Sequence, residues 1–244
     1  MTQVVRADFD IQWPQEDELT IRRLVTRSRS IPTGKHWSVT LGRMTEWESS
    51  VECYGQKLVD VCPAITCYFE QPFRLRYWWN GKRLSHIPDL LAYPAAGRPW
   101  VIEFKADGDR KLEEARQRSE IVAPFFCDVG FDYHIVMESS LLRGSYLQNA
   151  RYILRYGRAS ASVGDFNFAS DIFEVTGDLT LSAFSRAFKI DVEGIRAACR
   201  LLISGHIAID MALPINAETR LSWRGKPDYM GDLSWLQAAF AVIK

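Results

Sequence analysis

Pro88-Asp89 is followed fourteen residues later by Glu103-Phe104-Lys105, which closes the apolar run Pro99-Trp100-Val101-Ile102. Side chains alternate across a strand, so Glu103 and Lys105 face one way and Phe104 the other. Two carboxylates supplemented by water suit Mg²⁺, with Mn²⁺ as its substitute. Such an ion polarises a phosphoryl oxygen and acidifies a bound water. Lys105 would orient or deprotonate that water, or hold the scissile phosphate as a point charge. The chemistry indicated is metal-dependent cutting of a phosphodiester. The same spacing also fits a plain ion pair between Glu103 and Lys105 at a solvated strand edge.

Rigid elements must position these groups. Phe73-Arg74-Leu75-Arg76-Tyr77-Trp78-Trp79 alternates in strand fashion and runs into Asn80-Gly81, a strong two-residue hairpin signal. Arg83 to Ile87 returns as the second strand and delivers Asp89 at its end. Leu90 to Tyr93 then leads into a loop from Pro94 to Pro99, and a strand follows from Trp100 to Phe104. Asp107-Gly108-Asp109 breaks that strand, and a helical run is predicted over Arg110 to Ile121. A further core strand is expected over Val129 to Met137, with His134 as a hydrogen-bonded structural histidine, and then a helix from Ser145 to Tyr156.

Upstream, Glu48-Ser49-Ser50-Val51-Glu52, Leu58-Val59-Asp60, Cys62-Pro63-Ala64-Ile65 and Phe69-Glu70-Gln71-Pro72 occur in order before the hairpin. Over roughly residues 45 to 125 this succession resembles the TnsA family, the endonuclease subunits of heteromeric cut-and-paste transposases. The resemblance implies an α/β fold: a restriction-endonuclease-like mixed-sheet domain of the PD-(D/E)xK type, followed by a winged-helix-like α+β domain. It implies Glu52 as the helix carboxylate, Asp89 as the central metal ligand, Glu103 as the second ligand and Lys105 as the catalytic lysine. Some family members carry Gln where this chain has Glu103. Glu48 lies one helical turn before Glu52, so helical periodicity leaves either as the inward acid; the family spacing to Gln71-Pro72 selects Glu52. The implied activity is cutting at the 5′ ends of a mobile element. The implied partners are double-stranded DNA, a TnsB-like transposase and a TnsC-like AAA+ regulator. Two alternatives stay open: a stand-alone restriction- or repair-type nuclease, and a non-catalytic DNA-binding assembly subunit.

Bulk properties agree with a globular enzyme. The 244 residues are 47% hydrophobic, enough for a substantial core. Thirty basic and thirty acidic residues cancel, so no global positive field marks a nucleic-acid binder. Cys53, Cys62, Cys67, Cys127 and Cys199 lack zinc-like spacing and read as thiols in a reducing compartment. With neither a membrane span nor a signal peptide in evidence, the expected location is the bacterial cytoplasm.

Four units are expected: a basic arm and lead-in over residues 1–44, the nuclease-like unit over 45–157, a winged-helix-like unit over 167–225 and an apolar tail over 226–244. In the arm, Arg22, Arg23, Arg27, Arg29 and Lys35 read as extended basic chain. In the third unit, helices are predicted over 167–175, 180–188 (capped by Thr180) and 192–204 (ended by Gly205), and a wing follows. Arg110, Lys111, Arg116, Arg118, Arg196 and Arg200 are candidate phosphate contacts. Asp191 and Glu193 crowd the start of the third helix, so a DNA role and a protein-contact role stand side by side. The tail either packs back on the chain or docks in a partner.

Overall fold

The computed structural model describes residues 9–15, 20–21, 33–225 and 232–240. Arg22, Arg23, Arg27 and Arg29 of the expected arm lie outside the described residues. The chain is a mixed α/β protein.

It opens with β1 (Phe9–Gln12), β2 (Gly34–Ser38) and β3 (Arg43–Trp47), followed by α1 (Ser50–Asp60). Next come β4 (Ile65–Glu70), β5 (Arg74–Trp79), β6 (Lys82–His86), β7 (Leu90–Pro94) and β8 (Trp100–Lys105). Then follow α2 (Leu112–Asp128), β9 (Asp132–Met137), α3 (Glu138–Leu142) and α4 (Tyr146–Tyr156). The central sheet runs β4-β7-β8-β9, antiparallel except for the parallel β8–β9 pair that α2 connects. Its Trp100, Ile102 and Phe104 face the apolar cluster that includes Val51 and Leu58 of α1. Leu91 and Val101 join a second cluster with Val122 and Phe126 of α2 and Leu75 and Tyr77 of β5.

Three departures from the sequence reading have clear causes. Leu90 to Pro94, read as the way into a loop, is a central strand. Leu90, Leu91 and Ala92 are buried on both faces, which erases the alternation that marks a strand. The helix expected to stop near Ile121 continues to Asp128 through Pro124. The fully buried Val122 and Phe126 supply packing that offsets the hydrogen bond lost at proline. Finally, Lys35 to Thr40, read as extended arm, forms the hairpin β2–β3 and its turn, with Lys35 paired to Glu46 at 3.1 Å. Asp60, at the end of α1, accepts from Ser38 Oγ at 2.6 Å and from the Val39 and Thr40 amides at 3.0 Å each, tying the turn to the helix.

The hairpin signal is realised. β5 and β6 pair antiparallel, with Asn80 at φ 49° and Gly81 at φ 71°, the two positive values of a type I′ turn. β1 adds to the outer edge of β5 to complete a three-stranded sheet.

Beyond α4 come α5 (Val163–Thr176), β10 (Leu179–Thr180), α6 (Leu181–Arg186), α7 (Asp191–Ile203), β11 (Ile207–Ala208), β12 (Arg220–Trp223) and α8 (Ser234–Phe240). Thr180 caps α6 as expected, accepting from the Ala183 amide at 3.1 Å. Gly205 follows α7 at φ 75°. This unit is packed against α4: Asn149 Nδ2 donates to Met211 O and Leu213 O, and its Oδ1 accepts from the Ile215 amide. Of the tail, α8 packs back on the chain, with Leu236, Ala239 and Phe240 buried in the α1-side cluster. Among the described residues no helix is long and apolar enough to cross a membrane.

Candidate active site

Asp89 sits where the β6 return meets β7, stapled to β8 on both sides of Glu103. Its amide donates to Ile102 O at 3.1 Å, and its Oδ2 accepts from the Phe104 amide at 2.7 Å. Its carbonyl accepts from the amide of Gln71, a buried residue at φ 43°. Gln71 therefore steadies the site through its backbone.

Glu103 is fully buried and surrounded by polar and basic groups. Arg118 reaches it from α2, with Nη2 2.6 Å from Oε2 and Nε 3.3 Å from Oε1. Tyr133 of β9 donates its hydroxyl to Oε1. His86 Nε2 lies 2.6 Å from Oε1, and Lys105 Nζ lies 3.3 Å from Oε2. Burial alone would raise the Glu103 pKa, but His86, Arg118 and Lys105 hold it well below the usual carboxylate range. Burial works in the opposite sense on Lys105, yet Asp89 and Glu103 outweigh it and keep the ammonium charged.

Glu52 enters from α1. Ser49 caps that helix, accepting from the Glu52 amide at 3.2 Å, and donates back to Glu52 Oε1 at 2.9 Å. Glu52 Oε2 accepts from the Glu48 amide at 2.9 Å. Glu48 thus precedes the helix cap, and Glu52 is the buried acid. Burial raises the Glu52 pKa, with hydrogen bonds from Glu48 and Ser49 only partly offsetting it. Asp89 is pushed up to about 7 by burial and then by the neighbouring charge of Glu52, against the pull of Lys105. The sequence-predicted Glu52, Asp89, Glu103 and Lys105 therefore form one electrostatically coupled group.

Among the described residues no three or more His, Cys, Asp or Glu are grouped to hold a metal ion. Mg²⁺ needs fewer, since it commonly takes one or two carboxylates and keeps its waters. Asp89 and Glu52 suit that role: both are hard oxygen donors, and each anion is disfavoured as it stands. Glu103, expected as the second ligand, already has its oxygens engaged by Arg118, Tyr133, His86 and Lys105.

The sequence reading did not place Tyr133 or His86 in this site, and it took Arg118 for a phosphate contact where the structure makes it the partner of Glu103. A signal existed for Arg118, which falls at helical spacing between the buried Ala115 and Val122. Tyr133 pairs in register with Val101, on the same face as Glu103. The remaining candidate phosphate contacts lie elsewhere. Arg110 and Lys111 are exposed just before α2, and Arg116 is exposed on it. Arg196 pairs with Glu193 at 2.5 Å, and Arg200 grips Asp165 with two nitrogens at 2.7 and 2.9 Å.

Arg116 also borders a cavity of about 880 Å³ between α2, β9 and α8, lined by Trp100, His134 and Phe240. His134, expected to be hydrogen-bonded, has neither ring nitrogen partnered among the described residues, and burial lowers its pKa. No protein-family model matches the chain, and no curated protein matches it.

Proposed function

We propose that the chain is a metal-dependent DNA endonuclease of the kind its motifs resemble, cutting the 5′ ends of a mobile element beside a partner transposase. One observation carries this reading. Glu52, Asp89, Glu103 and Lys105 come from a helix, a strand entry and a neighbouring strand, yet share one charged cluster. In this reading Asp89 and Glu52 hold Mg²⁺ or Mn²⁺, which when bound supplies charge neutralisation at the phosphate and a more acidic water. Lys105 sets a positive charge beside the scissile phosphate. Glu103, fixed by Arg118, Tyr133 and His86, keeps that ammonium in place. The succession of α5, α6, α7 and the β11–β12 pair supports a winged-helix reading of the second unit. With Arg196 and Arg200 already paired to acids, that unit is assigned to protein contact, and the TnsB-like and TnsC-like partners of the resemblance are the candidates.

A calorimetric Mn²⁺ titration in the presence of a DNA duplex tests the reading, with Lys105→Ala as the background so that no cutting occurs. Binding that disappears when Asp89→Ala is added supports it, together with divalent-dependent nicking by the wild type that Lys105→Ala abolishes. Mn²⁺ binding that is indifferent to Asp89, or absent, overturns it.

A further inference from the structure

The residue that caps the helix carrying Glu52 also holds its carboxylate. Ser49 Oγ accepts from the Glu52 amide at 3.2 Å, which starts α1, and donates to Glu52 Oε1 at 2.9 Å. The second oxygen, Oε2, accepts from the Glu48 amide at 2.9 Å. In an ordinary capping box the third residue after the cap returns its side chain to the cap's own amide. Asp165 does so at Ser162, at the start of α5, where Arg200 also grips the carboxylate. Glu52 instead spreads its contacts over both oxygens and reaches past the cap to Glu48. The two donors are a hydroxyl and a backbone amide, which fix the oxygens without cancelling their charge. An ionised carboxylate has about four lone-pair sites, so capacity for a cation is left after these two bonds.

We propose that Ser49 is a positioning residue of the candidate active site, its hydroxyl holding Glu52 in the orientation in which Glu52 and Asp89 share one divalent ion. The proposal rests on the metal-dependent nuclease reading above and adds to it a residue that acts only through Glu52. A glutamate side chain that turns freely must be ordered before it can take up an ion, and a hydrogen bond already in place removes that entropic cost. Ser49 Oγ performs two separable tasks: as an acceptor it caps α1, and as a donor it orients Glu52. Glycine is tolerated at a cap position and alanine is poor there, yet neither has a hydroxyl to donate. Threonine supplies both functions. Ser49 itself is extended, at φ −144° and ψ 157°, so all three replacements fit its backbone.

The test is a calorimetric Mn²⁺ titration of the full-length protein with a DNA duplex, Lys105→Ala being carried throughout so that nothing is cut. Urea unfolding without metal reads the cap separately. Ser49→Gly and Ser49→Ala should each weaken Mn²⁺ binding by about 10- to 100-fold, the usual loss when a partner of a ligating carboxylate is removed. They should do so alike, although Ser49→Ala destabilises the fold more than Ser49→Gly. Ser49→Thr should restore the affinity. Added to Glu52→Gln, Ser49→Gly should cost no further affinity, because its effect passes through that carboxylate. Unchanged Mn²⁺ affinity in Ser49→Gly overturns the proposal and leaves the nuclease reading standing, and so does a Ser49→Gly loss that persists in full beside Glu52→Gln. Mn²⁺ binding that is absent, or indifferent to Asp89→Ala, overturns both.

Discussion

Arg118 holds Glu103 through a two-nitrogen grip, 2.6 Å at its shorter contact, from a helix that starts nine residues after the glutamate. An Arg–carboxylate fork supplies geometry as well as charge, and here it fixes an acid that would otherwise be costly to bury. Arg118→Ala leaves Glu103 buried with fewer donors. It should destabilise the protein by about 3–5 kcal/mol in urea unfolding at neutral pH, the usual cost of breaking a buried pair. The Glu103 pKa is depressed in the folded state, so its contribution is present above the ordinary carboxylate range and is lost only as pH falls through the lower folded value. In Arg118→Ala the folded pKa lies closer to the ordinary range, so this acid loss should be smaller and should be complete at a milder pH.

Asp89 behaves in the opposite way. Its folded pKa is raised to about 7, so the folded state binds a proton that the unfolded chain has released. Its stabilising contribution is therefore complete below about pH 4 and declines as pH rises through 7. Asp89→Asn keeps an acceptor for the Phe104 amide and removes the charge. Without divalent metal it should be more stable than wild type at pH 8, on the order of 2 kcal/mol after allowing for partial exposure, and nearly equal at pH 4. Chemical unfolding at the two pH values decides this; a gain of equal size at both would refute the assignment.

Gly55 of α1 lies against the Phe104 ring, where an added Cβ would intrude on the ring atoms. Phe104 is the residue between Glu103 and Lys105, so the helix can approach β8 closely only because that Cβ is missing. Gly55→Ala should cost about 1–3 kcal/mol through overpacking, despite alanine's better helix propensity. A thermal melt that shows stabilisation would contradict the packing described here.

Glu52 and Glu48 are separable by substitution. Glu52→Gln should reduce divalent-dependent nicking by roughly 100-fold or more, on the scale of losing one electrostatic stabiliser of the transition state, here through the ion that Glu52 would hold. Glu48→Gln should leave nicking within a few-fold of wild type, because the Glu48 amide, not its carboxylate, is what bonds Glu52. Loss of nicking in Glu48→Gln with retention in Glu52→Gln would reverse the two roles.

Several features were legible in the sequence because they are decided within a few residues. The Asn80-Gly81 turn, the alternation of β5, the Thr180 cap and the glycine after α7 each depend on local backbone geometry or on one short hydrogen bond. The order of acid, acid and lysine marked the candidate site on the same terms. Tertiary structure decided the rest. β7 carries no alternation because both of its faces are buried, so only its neighbours β4 and β8 reveal it as a strand. Periodicity left Glu48 and Glu52 open and the family spacing selected Glu52; the structure adds that Glu48 precedes the Ser49 cap while Glu52 is buried inside the first turn of α1. The polar and basic groups around Glu103 come from β6, β8, α2 and β9, and a desolvated carboxylate is held by whichever of them the packing brings close. Sequence could supply the residue types for such a site, but which of them lose water together is a property of packing between distant segments.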